Sequence, residues 1–132
     1  MKFLVTLVLY SSLLFATDLL KVKEYKLTKD KTVKILVKYD LFQKLLSFRW
    51  TLYKNDGLVV FSSYDRIVSQ HILYLNHKNQ SIRVQLKSRT SSNRVAPYLL
   101  IKFDKFDFEK QQAVISLWIT DKKKEIFLKY LK

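Results

Sequence analysis

Apolar and polar residues alternate along most of this chain, and the period is two. In Thr32–Tyr39 one stripe holds Val33, Ile35, Val37 and Tyr39, with Lys34 and Lys38 between them. Leu46, Phe48, Trp50 and Leu52 alternate with Ser47, Arg49 and Thr51. Ile82, Val84 and Leu86 alternate with Arg83, Gln85 and Lys87, and Leu99, Ile101 and Phe103 repeat the pattern around Lys102. A helix would scatter these stripes around its circumference, whereas a strand gathers each onto one face. The pattern predicts half-buried strands throughout.

Turn-forming residues punctuate the runs. Asn55-Asp56-Gly57, which holds the only glycine, predicts a hairpin between Leu46–Lys54 and Leu58–Tyr64. Asn76–Gln80 separates Ser69–Leu75 from Ile82–Lys87, and Ser88–Pro97 is a longer polar loop. Asp121–Lys124 joins Ala113–Thr120 to a last strand, Glu125–Leu131. Asp40–Lys44 reads as a single helical turn. Leu19–Leu27 alternates poorly and carries Lys21, Lys23 and Lys26, the marks of an edge strand guarded against a neighbour. Eight or nine short strands at this spacing close most naturally into an all-β, two-sheet antiparallel sandwich, with a barrel as the alternative. Trp50 in a central strand resembles the core tryptophan of immunoglobulin-like domains. The flanking cysteines of that family are missing, so the resemblance reaches only the architecture.

The first residues break the alternation. Met1-Lys2 precedes an apolar run, Phe3 to Ala16, closed by Asp18 and followed by Lys21 and Lys23. A membrane-spanning helix needs about 20 apolar residues. The shorter run fits a cleavable export signal, with cleavage expected after Ala16 despite Leu14 at the −3 position, and an uncleaved anchor as the competing reading. Residues 17–132 then form one β-sandwich domain in a periplasmic or secreted protein of bacterial style.

Composition sharpens this picture at two points. No cysteine is present, so no disulfide, thiolate nucleophile or zinc-thiolate site can form, and the domain must be held by its core. Lysine and arginine number 25 against 11 aspartate and glutamate, a net charge of +14. Such a balance favours polyanions: anionic lipid headgroups, acidic glycans or extracellular nucleic acid. The prevalence of lysine over arginine, beside abundant Ile, Leu, Phe and Tyr, also fits coding bias.

Little in the chain points to catalysis. His71 on a strand and His77 in a turn have no metal-ligand partner in sequence. Asp104, Asp107 and Glu109 are interleaved with Phe106 and Phe108 and flanked by Lys105 and Lys110, which reads as a polar turn. No serine sits in a nucleophile elbow, and one glycine cannot build a phosphate or dinucleotide loop. The expectation is a protein without enzymatic activity, cofactor or metal.

Two features could bind a partner. Lys87, Arg89 and Arg94 on a hydroxyl-rich loop, with Arg83 just upstream, suit bidentate capture of phosphate, sulfate or carboxylate. Trp118 lies opposite the stripe Ala113, Ile115, Leu117, Ile119, so it is either a docking residue or packs with Phe127 and Tyr130 of the next strand. The sequence therefore supports an exported interaction or assembly module binding another envelope protein. A polyanion binder is the alternative: clustered lysines would favour it, and an even spread would not. Export argues against nucleic acid as the partner.

Overall fold

The computed structural model describes residues 19–87, 96–122 and 124–132. The apolar run before residue 17, together with Arg89 and Arg94 of the candidate loop, lies outside the described residues.

Nine strands follow one another: β1 (Leu20–Thr28), β2 (Val33–Tyr39), β3 (Phe42–Lys54), β4 (Gly57–Tyr64), β5 (Ile67–Tyr74), β6 (Ser81–Gln85), β7 (Tyr98–Asp107), β8 (Gln112–Thr120) and β9 (Phe127–Leu131). They form two antiparallel sheets, β1-β8-β7-β6 and β5-β4-β3-β2-β9. The fold is an all-β sandwich. Strands β2 to β5 run as one meander and β6 to β8 as another, and each sheet is completed by a strand from the far end of the chain. This connectivity of two meanders differs from the Greek key of immunoglobulin sandwiches.

The stripes read from the sequence face each other across the interior. Val33, Ile35 and Val37 of β2, Leu46, Phe48 and Trp50 of β3, and Leu58 and Val60 of β4 oppose Ile82, Leu99, Ile101, Phe103, Ala113, Ile115 and Leu117 of the smaller sheet. Burying each large side chain contributes roughly 1.5–3 kcal/mol, and with no cross-link present that burial carries the stability. Aromatic contacts join the layers: Trp50 meets Phe106 edge-on at 5.6 Å, and Tyr53 stacks on Phe106 at 4.1 Å. The Trp50 indole donates to the Leu27 carbonyl at 2.8 Å, pinning the end of β1 to the opposite sheet. Among the described residues, no buried side-chain polar atom lacks a hydrogen-bond partner.

The segment Asp40–Lys44 is not helical. Tyr39 pairs directly with Phe42, so Asp40 and Leu41 form a two-residue hairpin turn and β3 begins four residues earlier than its stripe suggests. Asp40 takes the left-handed conformation that lets the turn close, and Leu41 projects into solvent. At the second hairpin Asn55 and Asp56 both have positive φ, the requirement of a type I′ turn, while Gly57 is the first residue of β4.

Candidate functional site

Register places Arg83 and Trp118, two of the residues singled out in the sequence, on one surface. On the outer face of the four-stranded sheet, Arg83 of β6 pairs with Leu100, Leu100 with Trp118, and Trp118 with Lys21 of β1. These four side chains form a row across every strand. The Arg83 guanidinium lies 3.8 Å from the centre of the Tyr98 ring, and the Lys102 ammonium 6.0 Å from that of Trp118. Flat rings capped by cations keep the face both apolar and positive. Trp118 is half-buried, and its indole donates to the Ser116 hydroxyl at 2.9 Å. Its expected packing with Phe127 and Tyr130 does not occur, because β9 crosses to the other sheet and pairs with β2. Tyr130 instead meets Lys23, whose ammonium sits 5.2 Å from its ring centre.

Lys87 leaves this face and turns to one end of the sandwich. Its ammonium lies 3.1 Å from Glu125, 3.4 Å from Asp40 and 5.7 Å from the Tyr39 ring centre. The hydrogen bond to Glu125, helped by that to Asp40, raises its pKa against the opposing effect of burial. Lys44 also meets Tyr39, 5.5 Å from its ring centre, and lies 3.3 Å from Asp65, with its pKa raised by hydrogen bonds to Tyr39 and then Asp65. Between them Tyr64 donates its hydroxyl proton to the Leu86 carbonyl at 2.6 Å, and burial pushes that phenol up. An ammonium held protonated is no nucleophile or base at neutral pH. The cluster ties the β2–β3 turn, the β4–β5 turn, the end of β6 and the lead into β9. The sequence held one sign of it: Lys44 continues the inward stripe of Leu46 and Phe48, a position where lysine needs a partner.

The titratable clusters resolve into turns. Asp107 accepts from the backbone amides of Glu109 and Lys110, closing the β7–β8 hairpin. His77 accepts from the Asn79 amide, and His71 sits 3.3 Å from the Ser69 hydroxyl. Among the described residues, no three His, Asp or Glu side chains gather as metal ligands do. A hollow of about 220 Å³ on the outer face of the five-stranded sheet is lined by Thr32, Ser47, Arg49, Phe61, Ser63 and Val68. It falls below the roughly 300–1,000 Å³ of ordinary ligand pockets.

No protein family, curated protein or solved structure matches this chain. Its surfaces must speak for themselves.

The four edge strands differ in a way the sequence reading missed. β1 carries Lys21, Lys23, Glu24 and Lys26 and a bulge after Lys21. β6 and β9 have five residues each and contain Arg83 and Lys129. Short length, charge and bulges are the devices that keep an edge from recruiting a neighbour. β5 has none of them. It runs eight residues in unbroken register with β4, contains no Lys, Arg, Asp, Glu or Pro, and leaves Ile67 75%, Val68 68% and Ile72 47% exposed. Because Tyr64 and Ile67 close a two-residue hairpin, they form a hydrogen-bonded pair. Alternation then turns the N–H and C=O groups of Val68, Gln70 and Ile72 away from β4. The Tyr74 amide, next in the same series, bonds the Asn79 carbonyl.

The cations do not gather on one face. Among the described residues Lys21, Lys26, Arg83 and Lys102 lie on the outer face of the smaller sheet, Lys34, Arg49 and Lys129 on that of the larger, Lys54 at the end of β3, and Lys29, Lys31, Arg66, Lys78 and Lys110 between strands.

Proposed function

We propose that this chain is a non-enzymatic, exported interaction and assembly module that docks an extended protein segment against the edge of β5, which pairs on one side only among the described residues. The single observation carrying this reading is that β5 is uncharged, unbulged and partly apolar where its three fellow edges are guarded. An added strand would satisfy the outward backbone groups of Val68, Gln70 and Ile72, and their side chains would select what lies alongside. The scatter of cations over both faces supports a protein partner over a polyanion, which binds best to one contiguous positive surface. Export rests on the run Met1–Ala16, and the expected compartment is the periplasm or the exterior.

The test is a pull-down from the organism's own envelope fraction at low and high salt, with the parent protein and with Gln70→Pro. The Gln70 amide points outward, so proline there removes a docking group while leaving the β4 ladder intact. A protein retained by the parent at high salt and lost with Gln70→Pro is the expected result. Retention of lipid, glycan or nucleic acid that washes off with salt, equally in both proteins, would replace this reading with the polyanion one.

A further inference from the structure

Three of the described strands contain no charged residue: β4, β5 and β8. β4 and β8 are each flanked by strands on both sides. β5 has the composition of an interior strand and sits at an edge. We infer that its second neighbour is the β5 strand of another copy of this chain, paired antiparallel about a twofold axis at Gln70 so that two five-stranded sheets become one of ten. The inference rests on the strand-addition reading above and names the partner of that same edge.

Geometry restricts the register. Antiparallel strands bond only where outward groups meet outward groups, so Val68, Gln70 and Ile72 must pair among themselves. Centring the axis on Gln70 sets Val68 opposite Ile72 of the second copy, Ile72 opposite Val68, and the two Gln70 side chains opposite each other. On the inner face Ile67 then meets Leu73, and Ser69 meets His71. Centring on Ser69 would set Val68 against Gln70 and Ile72 against Arg66, and centring on His71 would oppose two imidazoles. Only the Gln70 register matches apolar with apolar and amide with amide, the cross-strand pairings that stabilise a sheet. It also extends the row Leu52–Val59–Ile72 on the outer face into Val68 of the second copy.

Charge favours the same choice. A chain of net charge +14 repels its copy wherever lysines face each other. An approach along β5 brings no charged side chain of either strand together: in sequence Arg66 and Lys78 flank its ends, and on the same face Arg49 lies two strands back, over the Phe61 ring.

The absence of cysteine makes the test clean, because any disulfide must come from an introduced residue. The whole chain is prepared as Ser69→Cys, Gln70→Cys, His71→Cys and, as a control on the outer face of β3, Ser47→Cys, each checked for a parent-like circular dichroism spectrum. Opposed α-carbons of a hydrogen-bonded pair are about 5.5 Å apart, within disulfide reach. Under mild oxidation Gln70→Cys is expected to give a covalent dimer fastest, and Ser47→Cys none. Adding Ile72→Lys to Gln70→Cys should lower the dimer yield roughly tenfold by replacing two apolar pairs with lysines. Fastest cross-linking at Ser69 or His71, or equal rates at Gln70 and Ser47, would overturn the inference. If Gln70→Cys stays monomeric while Gln70→Pro still abolishes partner capture, the second copy is excluded and strand addition stands. If Gln70→Pro changes nothing, the docking reading falls as well.

Discussion

Gly57 shows how a single residue can be placed for a reason other than the one its sequence context suggests. Beside Asn55 and Asp56 it looks like the flexible member of a turn, yet it lies in β4 without a positive φ. A Cβ at this position would come within 2.9 Å of Ile72 Cγ2 and 3.0 Å of the Tyr74 ring. The glycine is there for the close approach of β5. Ile72 is β-branched and stiff, so its Cγ2, the nearest atom, does not give way freely. Gly57→Ala is expected to cost about 1–3 kcal/mol by overpacking. Asp56→Gly, at a residue whose φ is 64°, should stay within about 0.5 kcal/mol of the parent, because relief of the left-handed strain offsets added freedom in the unfolded chain. Urea unfolding of the two variants measures both, and a milder effect for Gly57→Ala than for Asp56→Gly would contradict the close-approach account.

The strands themselves were legible because each sheet has one wet face. Alternation then records burial directly, as in Val33–Tyr39, and the guarded edge at β1 could be read from its lysines. Two kinds of element escaped. The turns at Asp40-Leu41 and Asp65-Arg66 lack glycine, and their positive φ values are imposed by the hairpins they close, so local residue preference gave no warning. Strand order escaped as well, because nothing in Glu125–Leu131 says that it leaves β8 to pair with β2. For the same reason Arg83 and Trp118 were singled out separately, and only the register of β6, β7 and β8 aligns them. The crossing to β9 is held by Asp121, whose carboxylate accepts the amides of Glu125 at 3.2 Å and Ile126 at 2.8 Å. Asp121→Ala leaves both amides without that acceptor and should cost about 1–3 kcal/mol. Amide hydrogen exchange is expected to rise first in β9 and along the paired side of β2, with β7 and β8 unaffected. A uniform rise across both sheets would show that Asp121 does not act on this crossing in particular.

At the scale of the molecule, the shifted titrations all run one way. Burial, with a smaller effect of Tyr130, pushes Tyr25 up to about 12, and burial also raises Tyr53, Tyr64 and Tyr130. Lys44 and Lys87 are raised by their bonded partners. Every one of these groups holds its proton more tightly folded than unfolded. Their contribution is therefore complete below the ordinary tyrosine pKa near 10 and is lost as pH climbs through the folded values. Stability should vary little with these groups up to about pH 10 and fall above it, with the part of the tyrosinate absorbance that is lost in Tyr25→Phe and Tyr64→Phe rising together with the loss of β-sheet circular dichroism. Ionisation of that part before unfolding would show that these two hydroxyls are wetter than the structure has them.

The exchange of end strands also sets an order of events in time. β1 finds its partner only in residues 112–120, and the outer edge of β2 is closed only by residues 127–131. A chain emerging from the ribosome thus carries its opening strand unclaimed until nearly everything else has been made. The meanders β2 to β5 and β6 to β8 can each zip from contiguous chain, but both sheets keep one open side until the strands at residues 112–120 and 127–131 arrive to cover it.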